Sequence, residues 1–83
     1  MKTETEKGTY VYYKPDEDHK GRPTWTLHNK RSDAQIGNIG WYASWRRYIF
    51  VPLENACFDA YCLREIASFL DRKTKGDKAG AAQ

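Results

Sequence analysis

The sequence has little of what marks secreted, membrane-spanning or strongly basic proteins. Its 83 residues include only two cysteines, Cys57 and Cys62. Disulfide frameworks usually occur in secreted chains with more cysteines, so both are interpreted as reduced thiols. No run of about 18 apolar residues is present, which argues against a transmembrane helix, and the polar first seven residues do not resemble a targeting helix. A cytoplasmic location without a membrane partner is therefore expected.

The charge is nearly balanced. Fourteen Lys and Arg against eleven Asp and Glu give a formal net charge of +3, and Lys73, Lys75 and Lys78 place part of this excess near the C-terminus. Dedicated nucleic-acid binders carry a larger excess. The balance permits an acidic partner without requiring one.

Aromatic residues, in contrast, are plentiful, with 3 Trp, 6 Tyr and 3 Phe. Each such ring buries about 150 to 250 Å². A domain of this size buries only about 60% of the surface of its unfolded chain, so most apolar residues must share one core. A deep active-site cleft is not expected in so small a fold.

Four segments have the composition of β-strands. Residues 9–13 are β-branched or aromatic, and residues 24–29 alternate so that Trp25 and Leu27 share one face. Residues 34–42 contain Gly37 and Gly40, which indicate a bulge or the close approach of another backbone. Residues 46–51 end in a nearly continuous apolar run, which predicts a central strand buried on both faces.

The segments between and after these strands predict one long loop and one helix. Residues 15–23 contain two prolines, a glycine and many charges, so they are interpreted as a solvated loop. Asp59 is a good N-cap, and Phe58 with Leu63 could form a hydrophobic staple. Helical spacing predicts an apolar stripe, which Cys62 and Phe69 broaden. The stripe consists of Leu63, Ile66, Ala67 and Leu70.

The expected fold class is α+β, an antiparallel meander sheet of about four strands packed against one C-terminal helix. The helix is predicted from Asp59 to about Arg72, with Gly76 as its C′ residue. Residues 1–7 are predicted to be a disordered tail, residues 8–75 the single domain, and residues 76–83 a flexible tail.

Metal binding and catalysis find little support in the residue spacing. His19, His28, Cys57 and Cys62 are the soft metal ligands, and their separations do not match the close pairs of a structural zinc site. Ser44, His28 and Asp33 could be imagined as a hydrolytic set, but nothing in their spacing demands it. No metal, cofactor or enzymatic activity is therefore expected.

The most unusual segment is residues 41–48, in which aromatic and guanidinium side chains alternate around a presumed turn. The candidate binding residues in it are Trp41, Tyr42, Trp45, Arg46, Arg47 and Tyr48. One interpretation is a protein interface, because aromatic rings and Arg are enriched at hot spots. A second is a platform for single-stranded nucleic acid. A third is structural, with Trp41 and Tyr48 in the core and arginines lying over the rings.

Over more than half its length, from Trp25 to Leu70, the chain resembles a family of short uncharacterised bacterial and phage domains. The resemblance is carried by the segments WTLHN at 25–29, IGNIGWY at 36–42, WRRYIFVP at 45–52 and CLREIASFL at 62–70. It implies a phage-related or mobile-element accessory protein that binds a host factor, and it transfers no catalytic residue.

These observations together predict a small non-catalytic binding or regulatory module. Its expected partner is another protein, bound through residues 41–48 and an exposed sheet edge, and homodimerisation is possible through the same features. The alternative is single-stranded nucleic-acid binding through the same turn.

Overall fold

The computed structural model describes residues 5–81, with side chains described for residues 5–76. It confirms the α+β class, an antiparallel meander packed with one C-terminal helix, and the sheet has five strands. The elements are β1 (Glu6–Lys7), β2 (Val11–His19), β3 (Arg22–Asn29), β4 (Gln35–Tyr42), β5 (Arg47–Pro52) and α1 (Ala60–Ala81). The first four residues and the last two, part of the predicted tails, lie outside the described residues.

The strands follow each other in space in the order β1-β2-β3-β4-β5, which makes β3 the central strand. The prediction that residues 46–51 form a central strand buried on both faces is wrong. In a meander the last strand forms an edge, and only one face of β5 meets the core. Tyr48 is buried, whereas Val51 on the other face is 50% exposed. An apolar run therefore does not by itself indicate two covered faces.

The predicted loop over residues 15–23 is also wrong, because β2 and β3 form a long hairpin there. Its turn is the two-residue pair Lys20 and Gly21, both with positive φ, as in a type I′ turn. Pro15 pairs with Trp25, and β1 pairs with β2 only at Tyr12 and Tyr13. Pro15 thus lies on an open edge, where its missing N–H removes no hydrogen bond from a ladder.

The sheet begins earlier than the sequence suggests, at β1 instead of near Gly8. Glu6 pairs with Tyr13 in the ladder, and its carboxylate also forms ion pairs with Lys73 and Arg72 of α1. The polar composition of the segment does not predict its attachment, because the ion pairs are made with α1 at the other end of the sequence.

In β4 the predicted bulge and close approach are found at Ile36 and Gly37, but not at Gly40, where an added Cβ would make only an ordinary contact with Thr24. The register with β3 shifts between the pairs Leu27↔Gly37 and His28↔Gln35, which leaves Ile36 as an extra residue, a β-bulge. Ile36 packs against the core. At Gly37 an added Cβ would lie 2.3 Å from Cε1 of Phe50, so the phenyl ring occupies the space that a side chain would need.

The core lies between α1 and one face of the sheet. Its buried residues are Val11, Tyr13, Trp25, Leu27, Ile39, Tyr48, Ile66 and Phe69. Phe69 is fully buried, stacks on the Tyr13 ring with centroids 3.8 Å apart, and meets Trp25 edge-on at 5.1 Å. Trp25 and Leu27 are both buried here, which confirms their predicted shared face.

The start of α1 is confirmed, but its buried stripe is rotated from the predicted one. Asp59 accepts a hydrogen bond from the Cys62 amide at 2.9 Å, the geometry of an N-cap. Ile66, Phe69 and Leu70 face the sheet, whereas Leu63 is 48% exposed. Both stripes obey helical periodicity, and the larger ring of Phe69 occupies the core position.

Two further details of α1 differ from the prediction, the position of Ala67 and the end of the helix. Ala67 is exposed. Phe58 packs edge-on against the Phe50 ring, and its staple with Leu63 stays a prediction. The helix continues through Gly76 to Ala81, so Gly76 is not a C′ residue. No helix in the described part of the chain is long and apolar enough to cross a membrane.

Alanine at Gly37 should destabilise the fold more than alanine at Gly40, the other glycine of β4. We expect Gly37→Ala to lower the free energy of unfolding by about 1 to 3 kcal/mol, because the new Cβ forces Phe50 to move. Gly40→Ala is the matched control, since its Cβ would lie 3.8 Å from Thr24 in ordinary contact. Urea unfolding measures both, and equal losses would contradict the close approach at Gly37.

Burial of Tyr13 should make the fold sensitive to high pH. Burial raises the pKa of the Tyr13 phenol above its ordinary value of 10.0, and the Glu65 carboxylate adds to the shift. The folded chain then holds a proton that the unfolded chain loses, so stability falls as pH rises above 10.0, by up to about 1.4 kcal/mol per pH unit.

We expect Tyr13→Phe to remove this component from the slope of unfolding free energy against pH. Denaturant unfolding of both proteins between neutral pH and pH values above 10.0 gives the comparison. The same alkaline slope in both would show that Tyr13 ionises equally in the folded and unfolded chains.

Candidate functional site

The turn between β4 and β5 is a four-residue hairpin loop, closed by the pair Tyr42↔Arg47. The carbonyl of Tyr42 accepts hydrogen bonds from the amides of Trp45 and Arg46, at 3.1 and 2.9 Å. Arg46 has φ +57°, the left-handed conformation that lets the chain rejoin β5. These bonds hold the loop in one backbone shape at the end of the sheet.

Two of the six predicted binding residues belong to the core side of this hairpin. Trp41 and Tyr48 pair across the strands, and their rings meet edge-on at 5.3 Å. Tyr48 is buried, and Trp41 is half-buried against the core. Arg22, on the neighbouring hairpin, lies over the Trp41 ring at 4.2 Å. For these two residues the geometry is that of the structural interpretation.

The other four predicted residues are exposed at the end of the hairpin. We call Tyr42, Trp45, Arg46 and Arg47 the hairpin tip. Trp45 is 62% exposed, and its ring meets that of Tyr42 edge-on at 4.9 Å. Arg47 donates from Nε to the Trp45 carbonyl at 3.3 Å, which leaves the other donors of its guanidinium facing solvent. The tip thus presents two rings and two cations together.

Acidic residues lie at the same end of the sheet. In a meander the β2–β3 and β4–β5 turns lie at the same end of the sheet. Asp16, Glu17 and Asp18, near the end of β2, therefore lie toward the same end of the sheet as the hairpin tip. All three are exposed. No carboxylate among the described side chains forms an ion pair with Arg46 or Arg47. This end therefore presents both signs of charge on adjacent hairpins.

The hairpin that carries the tip is attached to α1 through its edge strand. The Tyr48 amide donates to Thr74 Oγ1 at 2.9 Å. Successive backbone amides of a strand point to alternate sides. The Leu53 amide, five residues after Tyr48, bonds to the Ile36 carbonyl of β4. The Tyr48 amide therefore points to the side of β5 that faces away from β4. Thr74 thereby satisfies a backbone donor that would otherwise remain on an open edge.

The sequence candidates for metal binding or catalysis do not converge. Among the side chains the structure describes, no group of three or more His, Cys, Asp or Glu could hold a metal ion. His28 Nδ1 lies 3.4 Å from the Asp33 carbonyl, at the β3–β4 end, whereas Ser44 lies in the β4–β5 loop at the other end. Burial raises the pKa of Cys62, which makes its thiol less reactive.

Sequence reasoning missed the contribution of Arg22 to this region. Residues 15–23 were expected to form a loop, and a loop gives Arg22 no defined neighbour. The available signal was the Lys20-Gly21 pair between two residue runs of strand length, since glycine in a two-residue connection is typical of a hairpin. The extended hairpin then places Arg22 beside Trp41.

Replacing Thr74 should loosen the attachment of β5. We expect Thr74→Val, which has the same shape without the acceptor, to lower the free energy of unfolding by about 1 kcal/mol. Thr74→Ser keeps the hydroxyl and is the matched control. Hydrogen exchange of the Tyr48 amide should quicken in the valine variant alone; unchanged exchange would show that this hydrogen bond does not protect the edge.

Comparisons with known proteins gave no match. No protein-family model fits the chain, and neither the curated proteins nor the solved structures contain a significant relative. The resemblance to short bacterial and phage domains therefore has no support beyond the segments that carry it.

Proposed function

We propose that this protein is a non-catalytic protein-binding module that contacts its partner with the hairpin tip. The observation that carries the proposal is the exposure of Trp45, at 62%, beside two guanidinium groups on a hydrogen-bonded hairpin. A Trp ring has only two side-chain torsions to restrict when it enters a pocket on a partner, and Arg adds directional hydrogen bonds.

The alternative function, single-stranded nucleic-acid binding, uses the same four residues. It is favoured by the exposed rings of Tyr42 and Trp45, on which bases could stack, and by the nearby arginines. Against it stand the exposed carboxylates of Asp16, Glu17 and Asp18 on the adjacent hairpin, which repel phosphates. A surface with both signs of charge suits a protein partner better.

The proposed binding function is compatible with the cellular role predicted from the sequence. A phage-related or mobile-element accessory role in the cytoplasm fits a small binding module, and the partner would then be a host protein. Neither catalysis nor a cofactor is part of the proposal.

Selection of peptides against the tip would test the proposal. A displayed random-peptide library is selected on the immobilised protein, and the enriched peptides are then tested against a tip variant carrying Trp45→Ala and Arg47→Ala. We expect enriched peptides to bind the unmodified protein at least about tenfold more tightly than the variant, the range of hot-spot losses. Tyr61→Ala is the matched control, since Tyr61 is 63% exposed but lies on α1.

A titration with a mixed-sequence single-stranded oligonucleotide over a salt series separates the two functions. We expect no binding even at low salt. Binding that falls steeply with salt and is lost with Arg46→Gly and Arg47→Ala would replace our proposal by the nucleic-acid function. Glycine is used at Arg46 because φ there is +57°, where alanine would be strained. Peptides that bind the tip variant equally well would also overturn the proposal.

A further inference from the structure

The face of the sheet opposite α1 carries a regular grid of side chains. We call it the outer face. In one row, the register aligns Asp16, Thr24, Gly40 and Ile49 across β2, β3, β4 and β5. In the next row it aligns Lys14, Thr26, Asn38 and Val51. Within the described residues, no secondary-structure element covers this face.

The first row contains a hollow where Gly40 has no side chain. A groove of about 260 Å³ lies there, with Thr24, Ile49 and Val51 among its lining residues. The fold does not require glycine at this position, because φ is not positive and an added Cβ would make only an ordinary contact. Glycine inside a strand often marks a place where another chain approaches closely.

The two rows complement each other in charge, polarity and shape. Asp16 on β2 corresponds to Lys14, and Ile49 on β5 corresponds to Val51, which is 50% exposed. On β4 the Gly40 hollow corresponds to the exposed amide side chain of Asn38. A two-fold axis that runs across the strands between the rows would place each residue opposite its complement in a second copy.

We propose that two copies of this chain pack outer face against outer face about this axis. Lys14 of one copy then pairs with Asp16 of the other, Ile49 meets Val51, and Asn38 fills the Gly40 hollow. Each contact occurs twice, as in any isologous interface. The long Lys14 side chain spans the offset that the usual crossing angle of about 30° between packed sheets introduces at the rim. The inference does not depend on the hairpin tip.

A second copy fits the outer face better than an unrelated partner. Lys14 and Asp16 lie two residues apart on β2. When β2 of a second copy lies over them in antiparallel orientation, each charge meets its opposite, whereas a polyanion would be repelled by Asp16. Four strands of this length present about 400 to 500 Å² per copy, from the spacings of a β-sheet. The total is below a standard interface, so we expect a weak dimer with a dissociation constant between about 1 µM and about 1 mM.

Sedimentation equilibrium of the full chain, from about 1 µM to about 1 mM, tests the proposal. We expect a monomer–dimer equilibrium. Lys14→Asp places a carboxylate opposite Asp16 of the second copy and should raise the dissociation constant at least about tenfold. The charge-exchanged variant, with Lys14→Asp and Asp16→Lys, should restore dimerisation. Lys75→Asp makes the same charge change on α1 and should have no effect.

Val51→Glu provides a second measurement, since it places a charge at the apolar contact and should abolish dimerisation while the exposed position leaves the fold intact. Circular dichroism confirms that each variant is folded. A monomer at all concentrations overturns the proposal. So does a dimer that responds to neither Lys14→Asp nor Val51→Glu, or that the charge exchange fails to restore. Trp45→Ala should leave the dimer unchanged, which separates this interface from the tip.

Discussion

The insertion of Phe69 between Tyr13 and Trp25 is the contact on which the rest of the structure depends. It joins the helix to β2 and β3 in a single aromatic cluster. Among the described side chains one buried cluster holds α1 against the sheet, as expected of a domain this small, and aromatic pairs contribute stability beyond their buried area. Once Phe69 is placed, the helical period determines which other residues of α1 face inward, and Thr74 reaches β5 to accept from the Tyr48 amide.

Because α1 covers one face of the sheet, the other face and the strand ends remain exposed. The proposed partner site is at one strand end, and the proposed dimer interface is on the other face. The hairpin tip has exposed rings and cations on a hydrogen-bonded turn, and the outer face has a hollow at Gly40 beside the exposed side chain of Val51. Tyr42, Trp45, Arg46, Arg47, Gly40 and Val51 are not among the residues of the buried core.

Much of the fold could be predicted from the sequence because its signals are local. The alternation around Trp25, the glycines of β4 and the cap at Asp59 each depend on residues close together in the chain. The β2–β3 hairpin could not be predicted in the same way, since its prolines and charges are tolerated only on an open edge. Whether Pro15 lies on such an edge depends on where β1 ends, which is a contact between distant segments.

The candidate site likewise has features that the sequence predicts and features that depend on contacts between distant segments. The sequence by itself determined the fold class, the strand faces of Trp25 and Leu27, and the concentration of aromatic and Arg residues at 41–48, because composition and periodicity encode them. Only the tertiary structure decided that Trp41 and Tyr48 turn inward while Trp45 remains exposed. The physical reason is that strand alternation defines two faces but does not say which one a helix will cover; here α1 covers the face that carries Tyr48.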